Sequence, residues 1–369
     1  MSDLILAATR KGLFSIRRGG PKKWQIEKVD FLADNVGQVA VDPRDGARYA
    51  VLHHGHFGTK MHRSDDGGKS WAEIGVPAYP PRPEGEEQKD MWGRILEWKL
   101  ERVWELTPGH KTEPGVLWAG TLPGGLFRSS DRGQSWEMVR SLWDHPKRKE
   151  WFGGGMDLPG IHSICVDPRD AKRVTLGVSC GGVWQTADGA KTWDCRAEGM
   201  FAAYMPPERQ KDPNIQDPHR VVQCPSQPDH FWAQHHNGIF RTCDGSKSWQ
   251  DVKCDRPSAF GFAVAVHPRD PEIAWFVPAV KDEKRIPVDG KVVVTRTRDG
   301  GRSFEVLKNG LPQDHAYDIV YRHALDIDDS GSRLAMGSTT GSFWITEDGG
   351  DSWQTVSSNL PPVYSVKFA

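Results

Sequence analysis

The chain has 369 residues, with 48 Lys and Arg against 49 Asp and Glu, which gives a formal net charge of −1. This length suffices for one large domain or two ordinary ones with a substantial core. The balanced charge argues against a nucleic-acid-binding protein and against a protein held on an anionic membrane, so we expect neither partner. The sequence leaves the oligomeric state open.

Residues 1–14 lack a basic start followed by a long apolar stretch, so we expect neither a signal peptide nor a membrane span. The six cysteines never form a C-x-x-C pair. We therefore expect reduced thiols and a cytoplasmic protein. The 39 Gly, 26 Pro and 16 Trp indicate many turns and a recurring aromatic residue.

The predicted elements begin with two strands in "LILAATRKGLFSIRRGGPKKW" (residues 4–24). After them an eight-residue pattern, Ser/Thr-x-Asp-x-Gly-x-Ser/Thr-Trp, recurs every 49–65 residues. Its copies lie at 64–71, 129–136, 186–193, 242–249, 297–304 and 346–353. Ala190 and Ser246 replace the glycine in two copies, and Phe304 replaces the closing Trp in another. A period of this length is typical of a repeat architecture.

Each copy of the pattern lies inside a unit of four short predicted strands. "HSICVDPRD", "RVTLGVS" and "GGVWQTA" precede one copy, and "SWEMVR" continues from another. Such a unit is typical of a β-propeller blade. The N-terminal unit lacks its innermost strand, which "VYSVKF" (363–368) supplies from the other end of the chain. We predict one all-β domain over 1–369: a seven-bladed β-propeller of four-stranded antiparallel blades, with the N- and C-terminal strands sharing one blade.

The repeated pattern resembles the Asp box of the bacterial neuraminidase repeat (BNR) superfamily. That superfamily includes sialidases, sortilins, oligoxyloglucan hydrolases and a photosystem assembly factor. The resemblance covers essentially the whole chain and implies a propeller in a branch similar to glycosyl hydrolases and exo-α-sialidases. It implies little about function, because these relatives share turns and not chemistry.

Within each box, the Asp is expected to accept hydrogen bonds from backbone N–H groups of its own turn. Glycine supplies a positive φ, and the Trp packs between sheets. A metal-binding loop would need more oxygen ligands than one Asp and a hydroxyl provide. Recurrence in six blades therefore favours a structural role for the boxes.

Propeller connectivity divides the loops between two faces of the ring. The boxes share one face with turns such as "DPRD", whereas the loops from second to third strands and the long inter-blade insertions share the other. The resemblance implies binding on this second face, and long loops on a rigid scaffold are common sites of function. Eight of the 14 histidines map there: His53, His54, His56, His162, His219, His235, His236 and His315.

Two kinds of site are possible on this histidine-rich face: a metal site and a cationic pocket. "HHGH" (53–56) has an H-x-H spacing that suits Zn, Cu or Fe. The metal-ligand candidates are His53, His54, His56, His235 and His236. The sequence requires no cofactor, and a divalent metal bound by histidines is one option it leaves open.

The second chemistry is a cationic pocket for a carboxylate, a phosphate or an acidic sugar. Its substrate-binding candidates are Arg10, Lys11, His54, His56, Arg220, Lys281, Asp282, Tyr317 and Arg322. The predicted catalytic residues are His162, His219, His235, His236, His315 and Asp318. Asp157, Asp217, Asp282 and Glu283 are further candidates for acid and base.

A true sialidase is not expected. Resemblance to sialidases implies an arginine triad, a Tyr nucleophile activated by Glu and an early "FRIP" motif, which the first blade lacks. "KRIP" (284–287) falls in a late loop, and no Glu is evidently paired with Tyr317 or Tyr321. Our leading hypothesis is a hydrolase or lyase acting on a small anionic or sugar-like substrate at the channel mouth. The alternatives are a non-catalytic binding or assembly scaffold and a His-ligated metal oxidoreductase.

Overall fold

The computed structural model describes residues 2–85, 87, 89, 93, 95–153, 158–254 and 256–369. Within these residues, 28 strands form seven four-stranded antiparallel sheets that follow one another around a ring. The predicted all-β, seven-bladed propeller is therefore confirmed.

The first four blades follow one another in chain order. Blade 1 contains β1 (Leu4–Thr9), β2 (Gly12–Gly20) and β3 (Lys23–Asp30). Blade 2 contains β4 (Val36–Val41), β5 (Arg48–His53), β6 (Thr59–Ser64) and β7 (Ala72–Ile74). Blade 3 contains β8 (Arg102–Pro108), β9 (Leu117–Leu122), β10 (Leu126–Ser129) and β11 (Glu137–Met138). Blade 4 contains β12 (Gly160–Val166), β13 (Val174–Ser179), β14 (Gly182–Thr186) and β15 (Asp194–Cys195).

The remaining blades keep the same order. Blade 5 contains β16 (Pro218–Gln223), β17 (Phe231–His235), β18 (Gly238–Thr242) and β19 (Gln250–Val252). Blade 6 contains β20 (Gly261–Val266), β21 (Ala274–Pro278), β22 (Val294–Thr297) and β23 (Glu305–Leu307). Blade 7 contains β24 (Leu325–Ile327), β25 (Leu334–Gly337), β26 (Phe343–Thr346) and β27 (Gln354–Ser357). The last strand, β28 (Val363–Phe368), belongs to blade 1.

In the described residues, helical structure is confined to short helices of three to five residues in the loops. These are α1 (Arg140–Trp143) and 3₁₀ turns at Gly55–Phe57, Pro146–Glu150, Pro213–Ile215 and Val288–Gly290. None of the helices in the described part of the chain has the length and apolar character needed to cross a membrane.

The two ends of the chain close the ring. β28 pairs antiparallel with β1, placing Ala7 opposite Val366, and it also contacts the inner strands β4 and β24 of the neighbouring blades. Val363 and Val366 are fully buried. Blade 1 therefore has the shared N- and C-terminal composition that the sequence predicts, and its inner edge is covered.

The hydrogen bonds expected of the six boxes are present. In the first box, Asp66 Oδ1 accepts from the backbone N–H of Lys69 at 2.9 Å and of Ser70 at 3.0 Å. The Ser64 hydroxyl donates to Asp66 Oδ1 and accepts from the N–H of Gly68, which has φ of +88°. Equivalent carboxylates close the other turns: Asp131, Asp188, Asp244, Asp299 and Asp348. Each box therefore fixes the turn between the third and fourth strands of its blade.

The aromatic residues that close the boxes connect neighbouring blades. Trp249 is buried, and its indole N–H donates to the carbonyl of Arg196, at the end of blade 4, at 2.7 Å. Its backbone N–H donates to the carbonyl of Glu198 at 2.8 Å. Gly199 has φ of +91°, and a Cβ there would overlap the Trp249 carbonyl oxygen. Only glycine therefore allows this close approach between blades.

Removal of β28 should unfold the ring. A chain ending at Pro362 loses the strand that buries Val363 and Val366 and leaves β1 as an open edge. We expect insoluble protein or loss of the cooperative thermal transition, measured by circular dichroism. The matched control is a permuted chain with residues 361–369 placed directly before residue 2, which should regain the transition because Ser2 lies next to Ala369. Stable folding of the truncated chain would contradict the closure.

The boxes should make stability sensitive to acid. Hydrogen bonds from Ser303 lower the pKa of Asp299 from 3.8 to about 2, although burial acts in the opposite direction. The folded-state pKa is depressed, so this stabilisation is present above about pH 4 and is lost as the pH falls toward 2. Asp299→Asn should lower the free energy of unfolding by about 1 kcal/mol at pH 7 and have a smaller effect at pH 3. Urea unfolding at both pH values measures this difference. The control is Asp289→Asn, at an exposed aspartate outside the boxes, which should leave the free energy of unfolding unchanged at both pH values.

Candidate functional site

A cavity of about 570 Å³ opens at the mouth of the central channel. We call it the mouth cavity. It lies on the face that carries the loops between second and third strands, as Cys180, His236 and Asp282 in three such loops show. Its complete lining is Gly37, Arg102, Trp104, Phe152, Gly153, Cys180, Tyr204, Asp217, His219, His236, Phe262, Asp282, Arg285, Tyr321, Arg322, His323 and Tyr364.

A β-bulge in each of six inner strands supplies residues to this region. In β16, Pro218 pairs with His235 and Arg220 with Gln234, which leaves His219 as the extra residue. The same shift occurs in β28, β4, β8, β12 and β20. The extra residues are Tyr364, Gly37, Trp104, His162 and Phe262, of which all but His162 line the mouth cavity. A bulge re-aims a side chain, and repetition around the ring directs these side chains toward one region.

Asp217, His219 and His236 form a cluster at one side of the mouth cavity. Asp217 Oδ2 lies 3.4 Å from His219 Nε2 and 3.4 Å from His236 Nδ1. The side chains of Asp217 and His219 are each 3% exposed, whereas that of His236 is 22% exposed. The cluster is therefore buried on one side and opens to the mouth cavity through His236.

Blade 4 holds the other oxygen of Asp217. Asp217 Oδ1 accepts from the Ser179 hydroxyl and from the backbone N–H of Cys180, each at 3.1 Å. Cys180 has φ of +45°, a strained value for a residue with a side chain. Behind the cluster, His235 Nε2 accepts from the backbone N–H of Asp217 at 3.1 Å. These contacts fix the carboxylate so that Oδ2 faces the two imidazoles.

The charges within the cluster depend on one another. Burial raises the pKa of Asp217, but the neighbouring His219, with His236 and Arg322, outweighs this effect and holds that pKa well below its usual range. Burial lowers the pKa of His219 despite the neighbouring carboxylate. Burial alone would lower the pKa of His236, but the neighbouring Asp217 carboxylate outweighs burial and raises that pKa. Asp217 is therefore ionised at neutral pH.

Arginines make the rest of the mouth cavity cationic. The Arg322 guanidinium lies 4.8 Å from the ring centre of Trp104 and 5.5 Å from that of Phe262. Burial lowers the pKa of Arg322 to about 10, and also lowers that of Arg102. Within the described ranges, neither arginine has a carboxylate at ion-pair distance, and Arg322 Nε has no hydrogen-bond partner. Arg285 is paired, with its Nε 3.1 Å from Asp282 Oδ1.

Below the mouth cavity, a buried ionic network crosses the channel. Glu105 contacts Arg220 directly, and His323 Nε2 lies 3.1 Å from Glu105 Oε2. Burial opposes ionisation of Glu105, but the charges of Arg220 and His323 outweigh it and hold the Glu105 pKa far below its usual range. His323 lines both the mouth cavity and a second cavity of about 360 Å³ that Arg220 also lines. The network therefore forms the floor of the mouth cavity.

Five of the residues predicted for substrate binding or catalysis line the mouth cavity: Asp217, His219, His236, Asp282 and Arg322. His235 is fully buried behind the cluster, and burial lowers its pKa to about 3. His162 is fully buried against Trp104, with ring centres 5.4 Å apart. Arg220 belongs to the ionic network.

The other predicted residues lie outside the mouth cavity. His315, Tyr317 and Lys281 are exposed, and Asp318 accepts hydrogen bonds from Ser338 and Thr340. Arg10 and Lys11 are exposed in the first blade, and Glu283 pairs with Lys281. Asp157 lies outside the described residues.

The three histidines of "HHGH" do not converge on one point. Burial lowers the pKa of His53 to about 3, and its ring packs against Gly37. His54 Nδ1 faces Asp34 at 3.7 Å, and His56 packs on Phe57. Among the described residues, the group of three or more side chains arranged to hold a metal is Asp217, His219 and His236.

Sequence reasoning missed several residues of the site, including Arg102, Trp104, Arg285, Phe262 and Tyr364. The repeat itself contains a signal for three of them: Trp104, Phe262 and Tyr364. When the inner strands are aligned, the column of the extra residue holds Gly, Trp, His, His, Phe and Tyr, whereas the neighbouring positions are mostly small or apolar. This variable column marks the bulge. Arg102 and Arg285 have no such signal, because Arg102 is the first residue of β8, outside that column, and Arg285 lies in a loop.

Comparisons with known proteins agree on the fold. No family model matches the chain. Among solved structures, the GH74 xyloglucanase from Xanthomonas campestris superposes with a TM-score of 0.64 at 16% identity, covering 97% of this chain and 53% of that one. YCF48 bound to D1 peptide superposes with a TM-score of 0.52 at 14% identity, covering 87% and 80%. This chain is similar in fold to both.

Two other matches cover less of the relatives. An ancestral GH74 enzyme gives a TM-score of 0.59 at 14% identity, over 88% of this chain and 38% of that one. A probable oligoxyloglucan-reducing end-specific xyloglucanase of Neosartorya fischeri is 32% identical over 83 residues, which is 22% of this chain and 9% of the relative. The chain therefore spans about half or less of the length of these xyloglucan-related proteins, and the likeness to solved structures concerns the fold.

Glu105→Gln should destabilise the protein strongly. The substitution leaves the Arg220 guanidinium buried without its counter-charge, at a cost of about 3–5 kcal/mol. We expect that loss in the free energy of unfolding measured by urea denaturation. Glu101→Gln, an exposed glutamate just before the same strand, is the matched control. Glu105→Met combined with Arg220→Met should recover much of the loss, and equal stability of Glu105→Gln and the native chain would contradict the assignment.

Proposed function

We propose that this propeller is a hydrolase or lyase that acts on a small anionic, sugar-like substrate held in the mouth cavity. The observation that carries the proposal is Arg322, a guanidinium held between Trp104 and Phe262 without a carboxylate partner among the described residues. Burial of an unpaired cation is unfavourable, and a bound carboxylate or phosphate would relieve that cost.

The other walls of the mouth cavity suit the same class of ligand. Arg102 offers a second guanidinium without an ion-pair partner in the described chain. Aromatic rings of Trp104, Phe152 and Tyr364 offer flat apolar surfaces for the uncharged part of a ligand. A volume of about 570 Å³ lies in the range of small-molecule pockets.

Groups that can act as acid and base lie beside these binding groups. Asp217 and His236 meet at 3.4 Å and line the mouth cavity together with Arg322. In a hydrolysis, water adds across the bond and the leaving oxygen takes a proton. In an elimination, a base removes the proton next to the carboxylate, a C=C bond forms, and the leaving oxygen departs from the adjacent carbon and takes a proton. The cluster supplies groups for either reaction, and the GH74 fold likeness favours a sugar as the substrate.

We also place the protein in a sialidase-like branch of the Asp-box propellers, without sialidase activity and in the cytoplasm. The resemblance to Asp-box propellers rests on the six boxes. Within the described residues, none of the six cysteines takes part in a disulfide bond, which is consistent with a reducing location.

A second candidate function is a non-catalytic binding or assembly scaffold. The likeness to YCF48 bound to D1 peptide favours it, because that match covers 87% of this chain and 80% of the other. A scaffold would bind a ligand or a peptide without turnover, so the two functions are separated by assaying binding and turnover together.

Arg322→Met should weaken binding of glucuronate, the probe for a small sugar acid, by about 10- to 150-fold, because hydrogen bonds to charged groups contribute roughly 1.5–3 kcal/mol. Isothermal titration calorimetry measures the affinity, with glucose as the neutral comparison ligand. Arg10→Met, an exposed arginine on the same face, should bind glucuronate as the native chain does.

Turnover is tested separately, with 4-nitrophenyl β-D-glucuronide and the corresponding glucoside as substrates and with ultraviolet detection of new C=C bonds for elimination. Preference for the acidic substrate, lost in Arg322→Met, supports the enzyme. Binding without turnover favours the scaffold. Equal binding of glucuronate by the native chain and by Arg322→Met would overturn the proposed anion site.

A further inference from the structure

We propose that Asp217, His219 and His236 bind a divalent transition metal ion, with an open coordination position facing the mouth cavity. This inference deepens the proposed function, because it names the cofactor of the same site, but metal binding can be measured without any substrate. The three residues differ from the "HHGH" ligands that the sequence suggests, and two of them, Asp217 and His219, lie in one short segment before and within β16.

Two distances within the cluster match those between ligands of one ion, and all three ligand atoms lie within 4.8 Å of one another. Ligands of a tetrahedral metal with bonds of about 2.0–2.2 Å lie about 3.4 Å apart. Asp217 Oδ2 is 3.4 Å from both His219 Nε2 and His236 Nδ1. A charge-assisted hydrogen bond would be shorter, about 2.7–2.9 Å, as in the 2.7 Å pair of Arg169 with Asp167. The spacing in the cluster therefore fits a shared ion better than two direct hydrogen bonds.

The tautomer of His219 also favours a cation in the cluster. Its Nδ1 lies 2.6 Å from the carbonyl oxygen of Gly261, and a carbonyl only accepts, so Nδ1 carries the proton. In the neutral ring, Nε2 then directs a lone pair at the Asp217 carboxylate. Two electron pairs face each other, an unfavourable arrangement that a cation between them reverses. A metal-binding histidine usually donates its other N–H in this way.

Hydrogen bonds around the carboxylate hold the cluster in place. Asp217 Oδ1 is occupied by the Ser179 hydroxyl and the Cys180 N–H, which leaves Oδ2 for the two imidazoles. The backbone N–H of His236 donates to the Asp217 carbonyl at 3.0 Å, tying the loop that carries the third ligand to the first. Ligands held by surrounding hydrogen bonds are typical of preorganised metal sites.

Two imidazoles and one carboxylate are a donor set found with zinc and with non-haem iron. Three protein ligands leave a position for water or substrate, as in catalytic sites. A bound metal polarises a substrate oxygen or lowers the pKa of a bound water. Arg322, next to the cluster in the mouth cavity, would bind the remaining negative charge of the substrate.

The test is metal binding by the full chain, stripped with EDTA and titrated with ZnCl₂ and, under anaerobic conditions, with Fe²⁺. We expect about one equivalent to bind and the Tm to rise. His236→Gln and His219→Gln should each lower the affinity by about 100-fold or more. The matched control is His54→Gln combined with His56→Gln, which should bind metal as the native chain does. Circular dichroism and unliganded Tm show that each variant folds.

The outcomes separate this inference from the proposed function. Absence of metal binding by the folded native chain, or unchanged affinity in His236→Gln, overturns the metal site, even if glucuronate binding still depends on Arg322. Arg322→Met should keep its metal while losing glucuronate. Loss of metal in the "HHGH" double variant and not in His236→Gln would place the ion elsewhere and overturn the assignment. Tighter binding of Fe²⁺ than Zn²⁺ would support the site and assign it to iron.

Discussion

The pairing of β28 with β1 is the interaction on which the rest of the structure depends, because a ring of blades has no free inner edge only when its first and last strands meet. Every blade packs against two neighbours, and the mouth cavity is lined by residues from six of the seven blades and from the segment leading into the seventh. Tyr364, on the closing strand itself, lines it. The site therefore exists only in the closed ring.

Repeated bulges turn this closed ring into a site. In five of the six bulged strands the extra residue lines the mouth cavity: Trp104, for example, supplies an apolar surface, and His219 supplies an imidazole. Because the ladder on either side of the bulge is regular, the residue at this position can vary without changing the fold.

The channel contains both paired and unpaired charged side chains. At the floor, Glu105 neutralises Arg220 and accepts from His323, so that cation is paired within the protein. In the mouth cavity, Arg322 has no carboxylate at ion-pair distance among the described residues, and its Nε has no hydrogen-bond partner. A buried cation without such partners is unfavourable in a folded protein, and Arg322 is therefore the strongest indication of a ligand of complementary charge.

The sequence alone determined the architecture. The six boxes, the strand patterns around them and the terminal "VYSVKF" predicted seven blades and the shared first blade, because hydrogen bonds within turns and alternating apolar residues are local features. The sequence also predicted a site on the face where the mouth cavity opens and included His219, His236 and Arg322 among its candidates. It overestimated how many of the rim histidines line the mouth cavity, because a residue's position in a loop does not define the direction of its side chain.

Only the tertiary structure decided which side chains meet. The Asp217 cluster draws its supports from Ser179 and Cys180 in the preceding blade, and Arg322 reaches Trp104, more than 200 residues away in sequence. His162, by contrast, occupies the same bulge position as His219 and does not line the mouth cavity. These differences arise from the register of the bulges and the geometry of seven blades around one axis. No local pattern encodes that convergence, because it depends on contacts between residues distant in the chain.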